Sequence, residues 1–344
     1  MAGAERDLGT RPYNLLDTGR YPYPETVLFT PDFSIITGNG NKDLARQVGR
    51  ILKTKIQETA GRFADGETRI RIPDNIRRRD VFVVQPSSPP VNNNLAELKF
   101  MLDAARRSSA SEITAIVPYF GYARQDRKDR SRVPISAALV AREIEAAGAD
   151  RIVTLDLHSE PEEGFVNIPW DNLHASIAVL PVLKNHFSND NLVVASPDKG
   201  GMTRATAYAK RLQSQGVAMV FKQRDVDVAN KSEALGMIGD VEGKEVLLVD
   251  DMIDTAGTIV NATDMLIERG AKSVSVAATH GLFSNPAIER INASKINTVF
   301  VTDSIKLNPK AKKYPKIQVI SIAPLLAEAI KRIYVGESLS DIIQ

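Results

Sequence analysis

The chain has 344 residues, a length that predicts about two domains at ~150 residues each. Hydrophobic residues make up 43% and charged residues 25%, as in ordinary soluble globular proteins. The formal net charge of +2 gives no general case for nucleic acid or a membrane surface as partner, and the absence of cysteine excludes disulfides, thiolate metal sites and a cysteine nucleophile. No stretch approaches the ~18 apolar residues of a membrane span, and the N-terminus does not resemble a secretory signal. We therefore expect a cytoplasmic protein.

Residues 1–31 contain Gly, Pro, Tyr and scattered charges without periodicity, and we interpret them as an N-terminal extension. From residue 33 onward, short apolar runs alternate with stripes of helical spacing. The predicted strands are Phe33–Ile36, Val81–Val84, Ile113–Val117, Ile152–Leu155, Leu192–Ala195, Val217–Phe221, Val246–Val249, Ser273–Ala277, Thr298–Val301 and Val319–Ile322. This alternation predicts an α/β fold of two similar domains, each a mostly parallel sheet flanked by helices. We place the domains at residues 32–175 and 176–344, with the last segment packing back on the first domain.

The most informative stretch runs from the strand Val246–Val249 into a turn rich in Asp, Thr and Gly, and then into a helix. Backbone N–H groups at the start of that helix suit a phosphate dianion, and Gly257 allows close approach. The paired carboxylates Asp250 and Asp251 can accept hydrogen bonds from the 2′ and 3′ hydroxyls of a ribose. A capped helix after a buried strand is the plainer interpretation, but the paired Asp favours a site for ribose 5-phosphate.

A second stretch, Pro118–Arg132, follows the predicted strand Ile113–Val117 and carries five basic residues between Arg124 and Arg132. Such a run is usually a solvated charged loop. At a strand end, with aromatic residues leading into it, it is better suited to the phosphates of ATP.

Both stretches resemble known sequences. The Asp250–Thr258 loop is similar to the phosphoribosyl-binding loop of the type I phosphoribosyltransferases and of the ribose-phosphate pyrophosphokinases. The segment Pro-Tyr-Phe-Gly-Tyr-Ala-Arg-Gln-Asp-Arg-Lys at 118–128 resembles the pyrophosphokinases alone. Further motifs of that family recur in its order at 63–68, 154–158, 196–201 and 221–224.

The resemblance implies transfer of pyrophosphate from Mg-ATP to the 1-hydroxyl of ribose 5-phosphate, with Mg²⁺ as cofactor and AMP as a product. It implies a homo-oligomer, a hexamer in the family, with phosphate and ADP as possible effectors. For ATP it implies the contacts Phe63, Asp65, Glu67, Arg124, Gln125, Asp126 and His158, the first three on a loop that reaches a neighbouring subunit. For ribose 5-phosphate it implies Asp250, Asp251, Asp254, Thr255, Ala256, Gly257 and Thr258. It also implies that Lys222 and Arg224 are the catalytic cations. The residues that it assigns to the metal are Asp156, His158, Asp171 and Asp198.

For Asp156 and His158 the spacing along the sequence gives a further indication of a metal site. Asp156 and His158 would alternate onto one side of an extended strand, which would place both beside a metal–triphosphate. Because magnesium prefers oxygen ligands, Asp156 is the easier assignment on chemistry alone.

Two alternatives remain open at this point. A nucleobase phosphoribosyltransferase would share the Asp250–Thr258 loop but would not need the Arg124–Arg132 segment. A non-catalytic subunit of the pyrophosphokinase family would keep the fold and lose residues of the site. The departures Asn167, Lys199 and the cluster 160–163 keep that second alternative open.

Overall fold

The computed structural model describes residues 32–223 and 234–343. The predicted N-terminal extension and Arg224 lie outside the described residues, and of Lys222 only the backbone is described. No helix in the described part of the chain is long and apolar enough to cross a membrane.

The first half of the described chain alternates strands and helices as the apolar runs predict. Its elements in chain order are β1 (Phe33–Thr37), α1 (Lys42–Ile51), β2 (Ile56–Glu58), β3 (Ala60–Arg62), β4 (Thr68–Ile70), β5 (Asp80–Val84), α2 (Val91–Arg107), β6 (Ile113–Val117), α3 (Ser136–Ala146), β7 (Arg151–Leu155) and β8 (Trp170–Leu173). Six of these strands form a parallel sheet in the order β2-β1-β5-β6-β7-β8, while β3 and β4 form a separate antiparallel hairpin. The four residues after Asp80 in β5 are all buried, as expected for a strand covered on both faces.

The second half repeats the pattern. Its elements are α4 (Ser176–His186), β9 (Leu192–Ser196), α5 (Met202–Leu212), β10 (Gly216–Gln223), β11 (Ala234–Ile238), β12 (Glu245–Ile253), α6 (Gly257–Glu268), β13 (Ser273–Gly281), α7 (Ala287–Ala293), β14 (Ile296–Thr302), β15 (Ile317–Ile320), α8 (Ala323–Val335) and α9 (Ser340–Ile343). The sheet order is β11-β10-β9-β12-β13-β14-β15, with only β11 antiparallel to its neighbour within the described residues. The α/β prediction with mostly parallel sheets is confirmed.

The two sheets share one parallel strand order. When the parallel strands of each are numbered along the chain, both sheets are arranged 2-1-3-4-5-6. In both, the antiparallel addition (the β3–β4 hairpin or β11) comes between the second and third parallel strands. Ligands of such sheets bind at the carboxyl ends of the strands, where the order reverses. That point lies between β1 and β5 in one sheet and between β9 and β12 in the other.

The reversal point of the first sheet is filled by protein. The carboxylate of Glu97, which is fully buried, accepts hydrogen bonds from the backbone and side-chain nitrogens of Asn39 at 2.8 and 2.7 Å and from Gln85 Nε2 at 3.0 Å. A Cβ placed on Gly38 would lie 2.7 Å from the Glu97 carboxylate. The corresponding point of the second sheet carries the Asp250–Thr258 loop.

The last long helix packs on the first one. Helix α8 lies against α1, and the Tyr334 ring of α8 contacts Phe33 of β1 edge-on, with the ring centroids 5.0 Å apart. Next to this contact, Ser321 donates hydrogen bonds to Asp303 Oδ2 at 2.7 Å and to Gln47 Oε1 on α1 at 3.1 Å. The end of the chain therefore covers a helix of the first sheet.

Two strand ends bear directly on the predicted site. Strand β12 does not stop at Val249 but continues through Asp250 and Asp251 to Ile253. Strand β7 stops at Leu155, and Asp156 adopts a left-handed backbone conformation with φ of 42°. The expected alternation of Asp156 and His158 along one strand is therefore wrong, because both residues lie beyond the strand.

Candidate active site

The loop between β12 and α6 has the geometry of an anion-binding site. Ala256 is the residue before the helix, with φ of 61°, and no side chain caps the helix within the described residues. The first N–H groups of α6 are therefore left for an external acceptor. Thr255 and Thr258 are exposed at this end, while Ile259 of the same turn is buried in the core. The helix start lies where the sequence predicted it, and its use for a phosphate stays a prediction.

Asp250 and Asp251 precede that loop, and their surroundings shift the pKa values of the two carboxyl groups in opposite directions. Asp251 Oδ2 accepts a 2.7 Å hydrogen bond from His158 Nδ1, which comes from the first sheet. Burial acts to raise the pKa of Asp251, but this hydrogen bond and the charge of nearby Arg204 hold it well below its ordinary value. Burial and the adjacent charge of Asp251 raise the pKa of Asp250. The hydrogen bond to Asp251 in turn raises the pKa of His158.

A second pair joins the two sheets at the loop between β12 and α6, residues 254–256, which is called the phosphate loop below. Arg124, in the 3₁₀ turn Ala123–Gln125 after β6, donates to Asp254 Oδ2 at 2.8 Å. Burial acts to raise the pKa of Asp254, but hydrogen bonds from Ser284 and Arg124 hold it below its ordinary value. Residues assigned by resemblance to ATP and residues assigned to ribose 5-phosphate are thus in direct contact across the two sheets.

Asp156 is buried, and both of its carboxylate oxygens accept hydrogen bonds from other residues. Its Oδ1 accepts from His174 Nδ1 at 3.0 Å, and its Oδ2 accepts from the Ala175 backbone N–H at 3.2 Å and from Thr279 Oγ1 on β13 at 2.5 Å. The Nε2 atom of the neighbouring His280 lies 3.0 Å from the Leu155 carbonyl oxygen. Because that oxygen is a carbonyl, Nε2 must be the donor. These bonds join the end of β7 to β13.

The other two residues assigned to the metal, Asp198 and Asp171, lie on different elements of the fold. Asp198 Oδ1 accepts from the Gly201 N–H at 2.9 Å and closes the turn between β9 and α5. Asp171 lies on the edge strand β8, where its carboxylate is ion-paired with Arg151. The structure brings His158 to the paired Asp residues but does not bring Asp171 there.

The residues assigned to adenine lie on an exposed hairpin. Phe63, at the end of β3, is 51% exposed, and the guanidinium carbon of Arg69 lies 5.7 Å from its ring centroid. Asp65 Oδ1 accepts from the Glu67 N–H at 3.0 Å and shapes the turn. Gln125 and Asp126 lie on the Arg124 loop instead, and Gln125 Oε1 accepts from Ser136 at 2.7 Å.

Three residues of the site were missed by the sequence argument. Arg204 on α5 is close enough to Asp156, Asp250 and Asp251 to act electrostatically on all three. Arg290 on α7 donates to the Thr255 carbonyl at 3.0 Å. Thr279 is described above. Arg204 closely follows the glycine-rich turn at 198–201, which the sequence does single out, whereas Thr279 and Arg290 stand in no such motif and only their positions in the folded chain reveal them.

The side chains near His158 suit a magnesium ion that binds together with a nucleotide, rather than one held by protein ligands alone. Among residues 32–223 and 234–343, no three His, Asp or Glu side chains are arranged to hold a metal ion. Magnesium usually keeps several waters and takes one or two protein ligands plus substrate phosphates. A metal-ligating His commonly donates its other ring N–H to a carboxylate, as His158 does to Asp251. The donor set near His158 is therefore suitable for a metal–nucleotide complex.

Comparison with known proteins gives one consistent result. Residues 33–148 match the N-terminal domain of ribose phosphate pyrophosphokinase, and residues 222–344 match the phosphoribosyl synthetase-associated domain. A ribose-phosphate pyrophosphokinase of Caldanaerobacter subterraneus subsp. tengcongensis is 48% identical over 317 residues, covering 91% of this chain and 98% of the relative. That of Campylobacter jejuni is 46% identical over 312 residues, covering 90% and 98%.

A solved structure agrees with these relatives. The crystal structure of phosphoribosylpyrophosphate synthetase from Mycobacterium smegmatis has 39% sequence identity and a TM-score of 0.83, covering 89% of this chain and 99% of that chain. The match extends through both sheets. The chain is therefore an enzyme that belongs to the ribose-phosphate pyrophosphokinase family.

Proposed function

We propose that this enzyme transfers the β,γ-pyrophosphoryl group of Mg-ATP to the 1-hydroxyl of D-ribose 5-phosphate, giving AMP and 5-phospho-α-D-ribose 1-diphosphate. The observation that carries the proposal is the 2.8 Å ion pair between Arg124 and Asp254. It joins the loop assigned to ATP to the loop assigned to the sugar phosphate. Two substrates bound to these loops would lie side by side, as a direct transfer between them requires.

In the proposed reaction the 1-oxygen of the sugar forms a bond to the β-phosphorus of ATP. The bond from the β-phosphorus to the oxygen that bridges to the α-phosphate breaks, AMP leaves, and the proton of the hydroxyl passes to solvent. Catalysis of this kind rests on positioning and on stabilising negative charge. Lys222 and Arg224 are proposed to supply that charge, and the helix start at Gly257 to hold the 5-phosphate.

Magnesium would neutralise the phosphates of bound ATP. His158 and Asp198 are the residues we propose on its protein side. Asp156 and Asp171 would first have to give up bonds to Thr279 and Arg151 respectively. We also propose that the exposed Phe63 hairpin completes the nucleotide site of a neighbouring copy in a homo-oligomer, and that phosphate and ADP act as effectors.

The test is to incubate the purified protein with Mg²⁺, ATP and ribose 5-phosphate and to measure AMP and the sugar diphosphate. We expect the two products in equal amounts, and none when the sugar or the metal is omitted. If ATP is not consumed at any phosphate or metal concentration, the proposal fails and a non-catalytic subunit of the family becomes the better account. If a nucleobase reacts with the sugar diphosphate instead, the phosphoribosyltransferase alternative is correct.

A further inference from the structure

The phosphate loop is short of positive charge. No lysine or arginine occurs between Asp250 and Glu268, and Asp254 adds a negative charge to the loop itself. A sugar 5-phosphate carries close to two negative charges at neutral pH, because the second pKa of a phosphate monoester is about 6. The partial charge of a helix N-terminus, about half a unit, does not balance them. Cations from elsewhere in the chain are needed.

Two described arginines contact this loop, and they differ in what else they bind. Arg124 is already ion-paired with Asp254, so its charge is neutralised by the loop. Arg290 reaches the loop from α7, and the only hydrogen-bond acceptor it has within the described residues is a neutral one, the Thr255 carbonyl at 3.0 Å. Its side chain is exposed.

Arg290 also lies close to the first residue of the phosphate-binding helix. A Cβ placed on Gly257 would be 3.4 Å from the Arg290 Nη1 atom. A guanidinium has five N–H donors in a planar fork, and one bond to the Thr255 carbonyl leaves most of them free. The hydrogen bond to the Thr255 carbonyl holds the guanidinium beside the helix start without neutralising its charge.

We propose that Arg290 is a substrate-binding residue that supplies the positive charge for the 5-phosphate of the sugar. This inference rests on the proposed function and deepens it, because it states which group distinguishes ribose 5-phosphate from unphosphorylated ribose. The Thr255 carbonyl orients the guanidinium, and the amides of the helix start contact the phosphate from the other side. Both groups act on the same anion.

The experiment compares Arg290→Gln and Arg290→Lys with Arg269→Gln, which removes a positive charge just beyond the far end of the phosphate-binding helix α6. Losing a hydrogen-bonded charge partner is expected to raise KM for ribose 5-phosphate about tenfold or more in Arg290→Gln. We expect KM for ATP and kcat to change less than about threefold, Arg290→Lys to recover most of the affinity, and Arg269→Gln to behave as the wild type. Calorimetric titration with ribose 5-phosphate and with ribose measures the same preference without turnover.

Two results would overturn the inference. One is an Arg290→Gln enzyme whose affinity for ribose 5-phosphate stays within about twofold of the wild type. The other is equal loss in the Lys and Gln variants with a lowered melting temperature, which would make Arg290 a structural support of Thr255. Failure of the proposed function looks different, because the wild type itself would then form no AMP. The calorimetric comparison would still decide the role of Arg290 in that case.

Discussion

Asp250 and Asp251 are neighbours in the chain, yet their surroundings shift the pKa values of the two carboxyl groups in opposite directions. The hydrogen bond from His158 keeps Asp251 charged, whereas burial beside that charge favours a proton on Asp250. A charged carboxylate only accepts hydrogen bonds, and a protonated one can also donate. Of the two carboxyl groups, Asp251 is therefore the one held as a charged acceptor, and Asp250 is the one that takes up a proton more readily.

Glu162 is a buried acid of another kind. It lies in the 3₁₀ segment Glu160–Phe165, is fully buried, and neither of its carboxyl oxygens has a hydrogen-bond partner among the described residues. Burial, with the charge of Asp126 added, raises its pKa to about 8. A carboxyl whose pKa is raised by folding stabilises the protein below its unfolded pKa, and that contribution is lost as the pH rises through the folded value.

We therefore predict that the free energy of unfolding falls between about pH 4.5 and pH 8 because of Glu162. The slope from one such group approaches about 1.4 kcal/mol per pH unit inside the window. Glu162→Gln should remove this part of the pH dependence, and the exposed Glu160→Gln should leave it in place. Urea unfolding of the three proteins at several pH values measures the effect. Parallel profiles for the wild type and Glu162→Gln would contradict the prediction.

At the scale of elements, the β3–β4 hairpin presents an aromatic ring to solvent. Phe63 is 51% exposed at its tip, although large apolar side chains are normally buried in the core. Asp65 shapes the turn through its bond to the Glu67 N–H. Such a ring contributes little to the stability of a single chain, and because it lies on the loop assigned to adenine, we propose that it is used in binding.

Phe63→Ala is predicted to leave the melting temperature within a few degrees of the wild type, since little buried area is lost. We expect KM for ATP to rise about tenfold, the loss of one stacking contact of roughly 1–3 kcal/mol with a base. Phe100→Ala, which removes a ring that is 49% exposed on α2, is the control and should leave KM for ATP unchanged. Steady-state kinetics with varied ATP decide between the hairpin as a binding element and the hairpin as a passive surface.

The sequence predicted elements more accurately than the contacts between them. Apolar runs locate β6 at Ile113–Val117, where it is observed, because a strand buried on both faces is mostly apolar. The same rule fails at β12, which continues through Asp250 and Asp251 because polar residues at a strand end resemble a loop. The pairing of Asp156 with Thr279 spans 123 residues, and no local pattern encodes such a separation. The position of the helix start at Gly257 could be predicted, but the approach of Arg290 could not.

On the scale of the whole molecule, the site depends on how the two sheets are joined. Asp156, at the end of β7, accepts a hydrogen bond from Thr279 on β13. Thr302 Oγ1 donates to the Thr279 carbonyl at 2.7 Å and carries the contact on to β14. A shift at this joint would move His158 relative to Asp251.

Thr279→Val is predicted to lower the free energy of unfolding by about 1–3 kcal/mol, because it deprives a buried carboxylate of one donor. It should also lower kcat while leaving KM for ribose 5-phosphate nearly unchanged, since the phosphate loop is not altered. Thr279→Ser keeps the hydroxyl and should restore both. Denaturant unfolding and steady-state kinetics on the three proteins test this. A Val variant as stable and as active as the Ser variant would show that the hydroxyl does not hold the sheets together.

The packing of α8 on α1 has a consequence for how the chain is made. During synthesis the whole first sheet leaves the ribosome well before residues 323–335 exist, so one side of α1 stays uncovered until the end of translation. The Ser321–Gln47 hydrogen bond, which spans 274 residues, can form only then. A polypeptide of residues 32–175 alone should accordingly bind hydrophobic dyes and aggregate, whereas the full chain should not. A monodisperse, dye-free fragment would show that the first half matures without the last helix.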